Sequence, residues 1–261
     1  MAESTISTRV TISVTLGSAS YPSPLTITPT GTVEPTAGGL TGVTGLDATI
    51  SAGYVLNQGL VAGGEAVTGG LGLDLANGSL TNQGTITGGA ATASSGVGGV
   101  GADVASSGLT NDGTITGGNG ASYDISAGSP GGDGGLGVAL SSGSLINSSA
   151  GRIVGGSGGE AYNVSGGPAD AGSGGTAIDV TGSTLTNDGM IAGGYGGYGA
   201  SPGDGGTAFG GAGVVGVSLA SGGILTNVGT IAGGVGGSIG FVPGGGAAGA
   251  GGTEVIASVV R

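Results

Sequence analysis

The sequence predicts an all-β chain, a single-stranded parallel β-solenoid of about seven coils with stacked glycine-rich inserts at one corner. Three observations lead there. A decapeptide recurs along the chain, apolar residues sit at fixed offsets from its asparagine, and no 3.6-residue helical period survives anywhere.

The clearest copies are residues 80–89 (LTNQGTITGG), 109–118 (LTNDGTITGG), 185–194 (LTNDGMIAGG) and 225–234 (LTNVGTIAGG). Residues 55–64 are looser, 145–156 carry two extra residues in the turn, and 27–39 form a degenerate copy with Pro29 at the Asn position. Such self-similarity is the signature of one supersecondary unit stacked on itself.

Composition narrows the field. With 71 glycines in 261 residues and 7% charged residues, a disordered chain would be the ordinary inference. The positive mean hydropathy and the fixed placement of Leu, Ile and Val argue against it. The net charge of −12 reflects scarce bases: Arg9, Arg152 and Arg261 stand alone, without Lys or His. Nucleic-acid binding, which needs a basic face, is excluded, and anionic membrane surfaces are disfavoured. Without Cys there is neither disulfide nor thiolate metal site, and a zinc site would lack His as well. The opening MAESTISTRV does not read as a secretory signal, and no apolar run is long enough for a helical membrane span.

In chain order, residues 1–45 read as an N-terminal cap and assembly strand. Ile6, Val10, Ile12, Val14 and Leu16 alternate with polar residues, as in a strand without a partner of its own. Residues 46–251 are the repeats proper. An apolar residue lies two before each Asn (Val55, Leu80, Leu109, Leu145, Leu185, Leu225) and another follows it (Val61, Ile86, Ile115, Ile153, Ile191, Ile231). A third set precedes the Asn as an i, i+2 pair: Ala48/Ile50, Leu73/Leu75, Ala102/Val104, Val138/Leu140, Ile178/Val180 and Val217/Leu219. Each unit is thus three short strands facing inward. The Gly two after the Asn marks a corner requiring positive φ or close backbone approach.

Inserts separate the units, growing from eight residues at 65–72 to 22 at 195–216. Their matching lengths and low charge favour ordered stacking as extended or polyproline-II-like strands. Residues 252–261 begin a further coil without completing it, leaving Val255, Ile256, Val259 and Val260 at an edge that would recruit another chain.

Candidate functional residues are few. Asn57, Asn82, Asn111, Asn147, Asn187 and Asn227 are expected to form an internal, turn-forming ladder. No cofactor is expected, with calcium as the alternative at Asp112, Asp133, Asp188 and Asp204, whose turn chemistry explains them better because the tandem GGxGxDxUx spacing is missing. Thr85, Thr87, Thr114 and Thr116 form outward pairs of the kind an ice-binding face displays, on two coils. Asp74, Asp103 and Asp179 share one outward strand position, too scattered for acid–base catalysis, so no enzyme is expected. Tyr123, Tyr162, Tyr195, Tyr198, Phe209 and Phe241 all lie in the long inserts, either packing them together or contacting a surface.

The LTNxGTIxGG motif with its Gly-rich inserts resembles the repeats of bacterial autotransporter passengers and large secreted adhesins, over about residues 46–250. The resemblance implies an extracellular right-handed β-helix, surface attached or secreted, serving adhesion or matrix formation. The leading expectation is therefore a structural subunit that joins copies of itself by end-to-end strand complementation, without membrane insertion, into a fibre, surface layer or biofilm matrix. The alternatives are an adhesin that binds a glycan or surface through the long inserts, and an ice-binding protein.

Overall fold

The computed structural model describes residues 3–36, 46–48, 53–124 and 130–257. They contain no helix, and the chain winds through three parallel sheets, each eight-stranded among the described residues. Every turn of the winding, or rung, adds one strand to each sheet. Sheet 1 begins with Ser4–Ile6 and Leu25–Ile27, continues through Tyr54–Asn57, Ser79–Asn82 and Gly108–Asn111, and ends at Ile224–Asn227. Sheet 2 runs from Arg9–Val10 to Thr230–Ala232, and sheet 3 from Val14–Thr15 to Val255–Ala257. At the ~4.8 Å spacing of paired strands, eight strands span about 34 Å along the axis.

Register is fixed by the repeat. Leu80 pairs with Val55 and Leu109, Ile86 with Val61 and Ile115, and Val104 with Leu75 and Leu140. These side chains form one buried column per sheet and meet in a single core running the length of the stack. A one-residue slip would turn a whole column outward, so burial and the Asn position enforce the same alignment.

The N-terminal segment differs from expectation. Residues 6–16 are not one unpartnered strand but wrap as a complete first rung, Ser4–Ile6, Arg9–Val10 and Val14–Thr15. These strands pair with Leu25–Ile27, Thr32–Val33 and Leu46–Ala48. Ile6, Val14 and Leu16 are buried in the chain's own core, Val10 is half-buried, and Ile12 is 65% exposed at a corner. The half-buried Tyr21, from the loop leading to the second rung, packs on the same core.

Two corners have distinct chemistry. Between sheets 1 and 2, each Asn is followed by a turn whose Gly is required by crowding: a Cβ on Gly113 would fall on the Gly84 carbonyl oxygen of the rung before. Positive φ is found instead between sheets 3 and 1, at Asn77, Ser106, Ser142, Gly182 and Ser221. There Ser107 and Ser183 are buried, and their hydroxyls accept from the Gly78 and Gly143 N–H groups at 3.0 Å.

The third corner, between sheets 2 and 3, carries the inserts, which are ordered as expected. Each leaves the body as one arm and returns as another, and the arms exchange backbone bonds with a three-residue period. Gly118 and Ala121 donate to Gly99 and Gly96 of the preceding returning arm, while Gly117 and Gly120 donate to Val154 and Ser157 of the next outgoing arm. Three residues per turn without internal bonds is polyproline II geometry. Two positions of every three are thus consumed by neighbours, and the third faces out. The arms build a slab beside the solenoid. Its outer part holds two three-stranded sheets, from Tyr123–Asp124, Ala161–Tyr162 and Gly199–Ala200, and from Pro168–Asp170, Thr207–Phe209 and Gly246–Ala247. Ala161, Ala169 and Ala208 form a small core between them.

Candidate functional site

The asparagine column is internal. Asn57, Asn82, Asn111, Asn147 and Asn187 are fully buried. Each Nδ2 donates to the Oδ1 of the next Asn, at 2.8 Å for the first four links and 2.7 Å from Asn187 to Asn227. The second amide proton reaches a nearby backbone carbonyl, as from Asn111 to Gly113 at 3.2 Å. Asn227, on the last rung, is exposed and donates to Gly229 at 3.3 Å. Among the described residues no buried side-chain N or O lacks a partner, so the ladder is closed and positions a corner rather than a ligand.

The carboxylates stack on the outer face of sheet 3. Asp47, Asp74 and Asp103 occupy one register column on successive rungs, which the next rung interrupts with Ala139. Partial burial raises the Asp74 carboxyl above the ordinary aspartate value, and repulsion from Asp103 and Asp47 adds to it. Burial also raises Asp103, against a lowering hydrogen bond from the Val104 backbone. A raised carboxylate pKa means that the folded state binds protons more readily than the unfolded chain. Stability should therefore rise as pH falls from neutral through the raised values, with no further gain below the unfolded-state value. Asp103→Asn should raise the melting temperature near pH 7 and reduce the gain seen on acidification to about pH 4.5. Circular-dichroism melts of both proteins at the two pH values check this.

Among the described residues no three His, Cys, Asp or Glu side chains are grouped to hold a metal ion. Asp112 and Asp188 lie at the sheet 1–sheet 2 corner, Asp204 is in a later insert, and Asp133 in the slab accepts the Ser173 N–H at 2.7 Å. The Thr pairs are in register as read, Thr85 with Thr114 and Thr87 with Thr116. A longer column went unread on sheet 1: Thr5, Thr26, Thr81, Thr110, Thr186 and Thr226, interrupted by Leu56 and Ile146. Its signal was the Thr immediately before the Asn in LTN.

The insert aromatics separate. Tyr162 and Phe209 sit on the two small sheets, Phe241 is in the last insert, and the side chain of Tyr123 lies outside the described set, as do Ile50, Val259 and Val260. Tyr195 and Tyr198 stand together, three residues apart on one outgoing arm, and both are exposed. Tyr195 closes one end of a groove of about 680 Å³ in the angle between the outer face of sheet 2 and the slab, and Tyr198 lines its continuation. One wall is the outward column Ala62, Thr87, Thr116 and Val154, and the floor is the glycine that follows each of them. The other wall is the residue after each Gly-Gly: Glu65, Ala90, Asn119, Ser157 and Tyr195. At Ser157 and Tyr195 the groove opens into a shallower one of about 330 Å³, past Glu160, Tyr198, Val235 and Ser238. This wall went unread because its residues share an offset and no chemistry.

Comparison with protein-family models, with curated proteins and with solved structures returns no match to the chain.

Proposed function

We propose that the chain is a structural β-solenoid subunit, placed outside the cell or on its surface, that stacks end to end into a fibre or matrix. The observation that carries this reading is the contrast between the two ends of the stack. On the last rung, Leu225 and Ile231 are half exposed and Val255 is 38% exposed, whereas Leu185, Ile191 and Val217 of the rung before are fully buried. Among the described residues, the backbones of Ile224–Asn227, Thr230–Ala232 and Val255–Ala257 each have one edge facing away from the stack. Such an edge is a template for another strand.

The first rung offers the complementary edge, since among the described residues Ser4–Ile6, Arg9–Val10 and Val14–Thr15 also terminate their sheets. The seam joins backbone edges and covers the apolar side chains of the last rung. Ile6, Val14 and Leu16, already buried, do not cross it. The resemblance of LTNxGTIxGG to secreted adhesin repeats supports the extracellular setting.

Sedimentation and electron microscopy of the purified chain should reveal rods that lengthen with concentration. Ile231→Lys, which places a charge on the open rung, should leave single subunits. Monomers of the unmodified chain across salt and pH, or unchanged rods in the variant, would overturn the reading.

A further inference from the structure

We propose that the groove between sheet 2 and the insert slab binds a neutral, linear polysaccharide lying parallel to the solenoid axis, an activity separate from end-to-end stacking. Shape is the first argument. The lining takes one residue set from each successive rung, from Arg9 and Glu34 to Tyr195 and, in the continuation, Val235. A concavity repeated rung after rung is a trough for an extended polymer rather than a cup for a small molecule.

Charge decides which polymer. The acidic lining residues are Glu34, Glu65 and Glu160, and the one base, Arg9, is paired with Glu34 at 2.9 Å. With a net charge of −12 over the chain, nucleic acids and acidic polysaccharides are repelled.

Backbone chemistry argues against a peptide. A peptide added to a groove by strand augmentation needs unpaired amides. Here the floor amides are engaged along the stack: Gly63, Gly88, Gly117 and Gly155 donate to Thr87, Thr116, Val154 and Ala192 at 2.9–3.0 Å.

What remains suits a polyol. Asn119 accepts the Ser157 N–H through Oδ1 at 3.1 Å, which leaves its Nδ2 to donate to a ligand. Glu65, Thr87, Thr116 and Ser157 supply further acceptors and hydroxyls along the same line. Tyr195 and Tyr198, 57% and 37% exposed, stand one polyproline-II turn apart on the same side of their arm. An aromatic ring face is electron-rich, and the C–H face of a sugar ring lies well on it. Polar groups that fix orientation beside aromatic platforms are the ordinary makeup of a ligand site.

Affinity electrophoresis through gels containing hydroxyethyl cellulose, glucomannan, laminarin or dextran tests this, with polygalacturonate and alginate as acidic counterparts. At least one neutral polymer should retard the chain and the acidic ones should not. The exposed double variant Tyr195→Ala/Tyr198→Ala, checked for an unchanged melting curve, should bind about tenfold or more weakly. Retardation by the acidic polymers alone, by none of the neutral ones, or equally for both proteins would overturn the proposal.

Discussion

Gly156→Ala should loosen the insert slab over several rungs, although it adds a single methyl group. Gly156 lies on an outgoing arm, where its N–H donates to Gly135 at 2.8 Å and its carbonyl accepts from Gly175 at 2.8 Å. A Cβ there would fall on the Gly118 carbonyl oxygen, a backbone atom held by its own bond from Gly135. No flexible side chain can yield, so the arms must part. Overpacking of this kind costs about 1–3 kcal/mol, and each backbone bond lost adds about 1 kcal/mol, giving a loss on the order of 3–5 kcal/mol. Hydrogen exchange should report it locally. The amides of Gly118, Gly135, Gly175 and Gly194 lose protection, while those of Leu145, Ile153 and Val180 in the main sheets keep it. Ser157→Ala, one residue on, is the control: that position faces the groove, and its exchange pattern should not change. Equal behaviour of the two variants would mean that the slab is not the close-packed body described.

The contrast between positions 156 and 157 also explains what could be read in advance. The three inward columns were legible because Leu, Ile and Val recur at constant offsets from the Asn, and burial admits few substitutes there. Residues 6–16 were misread because alternation reports facing but not direction. Ile6 and Val14 point inward whether the chain runs straight or turns corners, and the corners at Ser7-Thr8 and Thr11-Ile12-Ser13 carry no Gly, Asn or Pro to mark them. The left-handed residues between sheets 3 and 1 were hidden similarly, since Ser106 and Ser142 belong to a type that seldom signals positive φ. In the inserts, glycine density announced close packing. The three-residue period that sorts positions into engaged and outward-facing ones emerges only from the bonds between arms. The groove follows from that sorting, and the pairs Ser157/Glu160, Tyr195/Tyr198 and Val235/Ser238, each three residues apart, already carry its spacing in the sequence.

Replacing Asn111 tests the ladder most directly, and the choice of replacement separates shape from hydrogen bonding. Leucine fills nearly the same space, yet it removes the acceptor for Asn82 Nδ2 and the donor for Asn147 Oδ1, both 2.8 Å links in a fully buried column. Asn82 Nδ2 retains the Thr114 carbonyl at 3.3 Å, so the Asn147 oxygen is the worse loss. Each buried group stripped of its partner costs about 1–3 kcal/mol, which places Asn111→Leu on the order of 2–6 kcal/mol down. Asn111→Asp should be worse near neutral pH, because a carboxylate brings a buried charge against the Asn147 oxygen and has no proton to offer it. Burial raises the pKa of such a group, so acidification protonates it, restores a donor toward Asn147 and returns part of the stability. Asn111→Leu has no such pH-dependent recovery. At the open end, Asn227→Leu removes an exposed side chain and should cost far less. Guanidinium denaturation of the three variants at neutral and acid pH gives the ordering. In a stack where each rung contacts its neighbours alone, a gap in the ladder is felt by the rungs on either side of it. An Asn111 variant no worse than the Asn227 one would reduce the column to a turn former and leave the apolar core as the sole source of register.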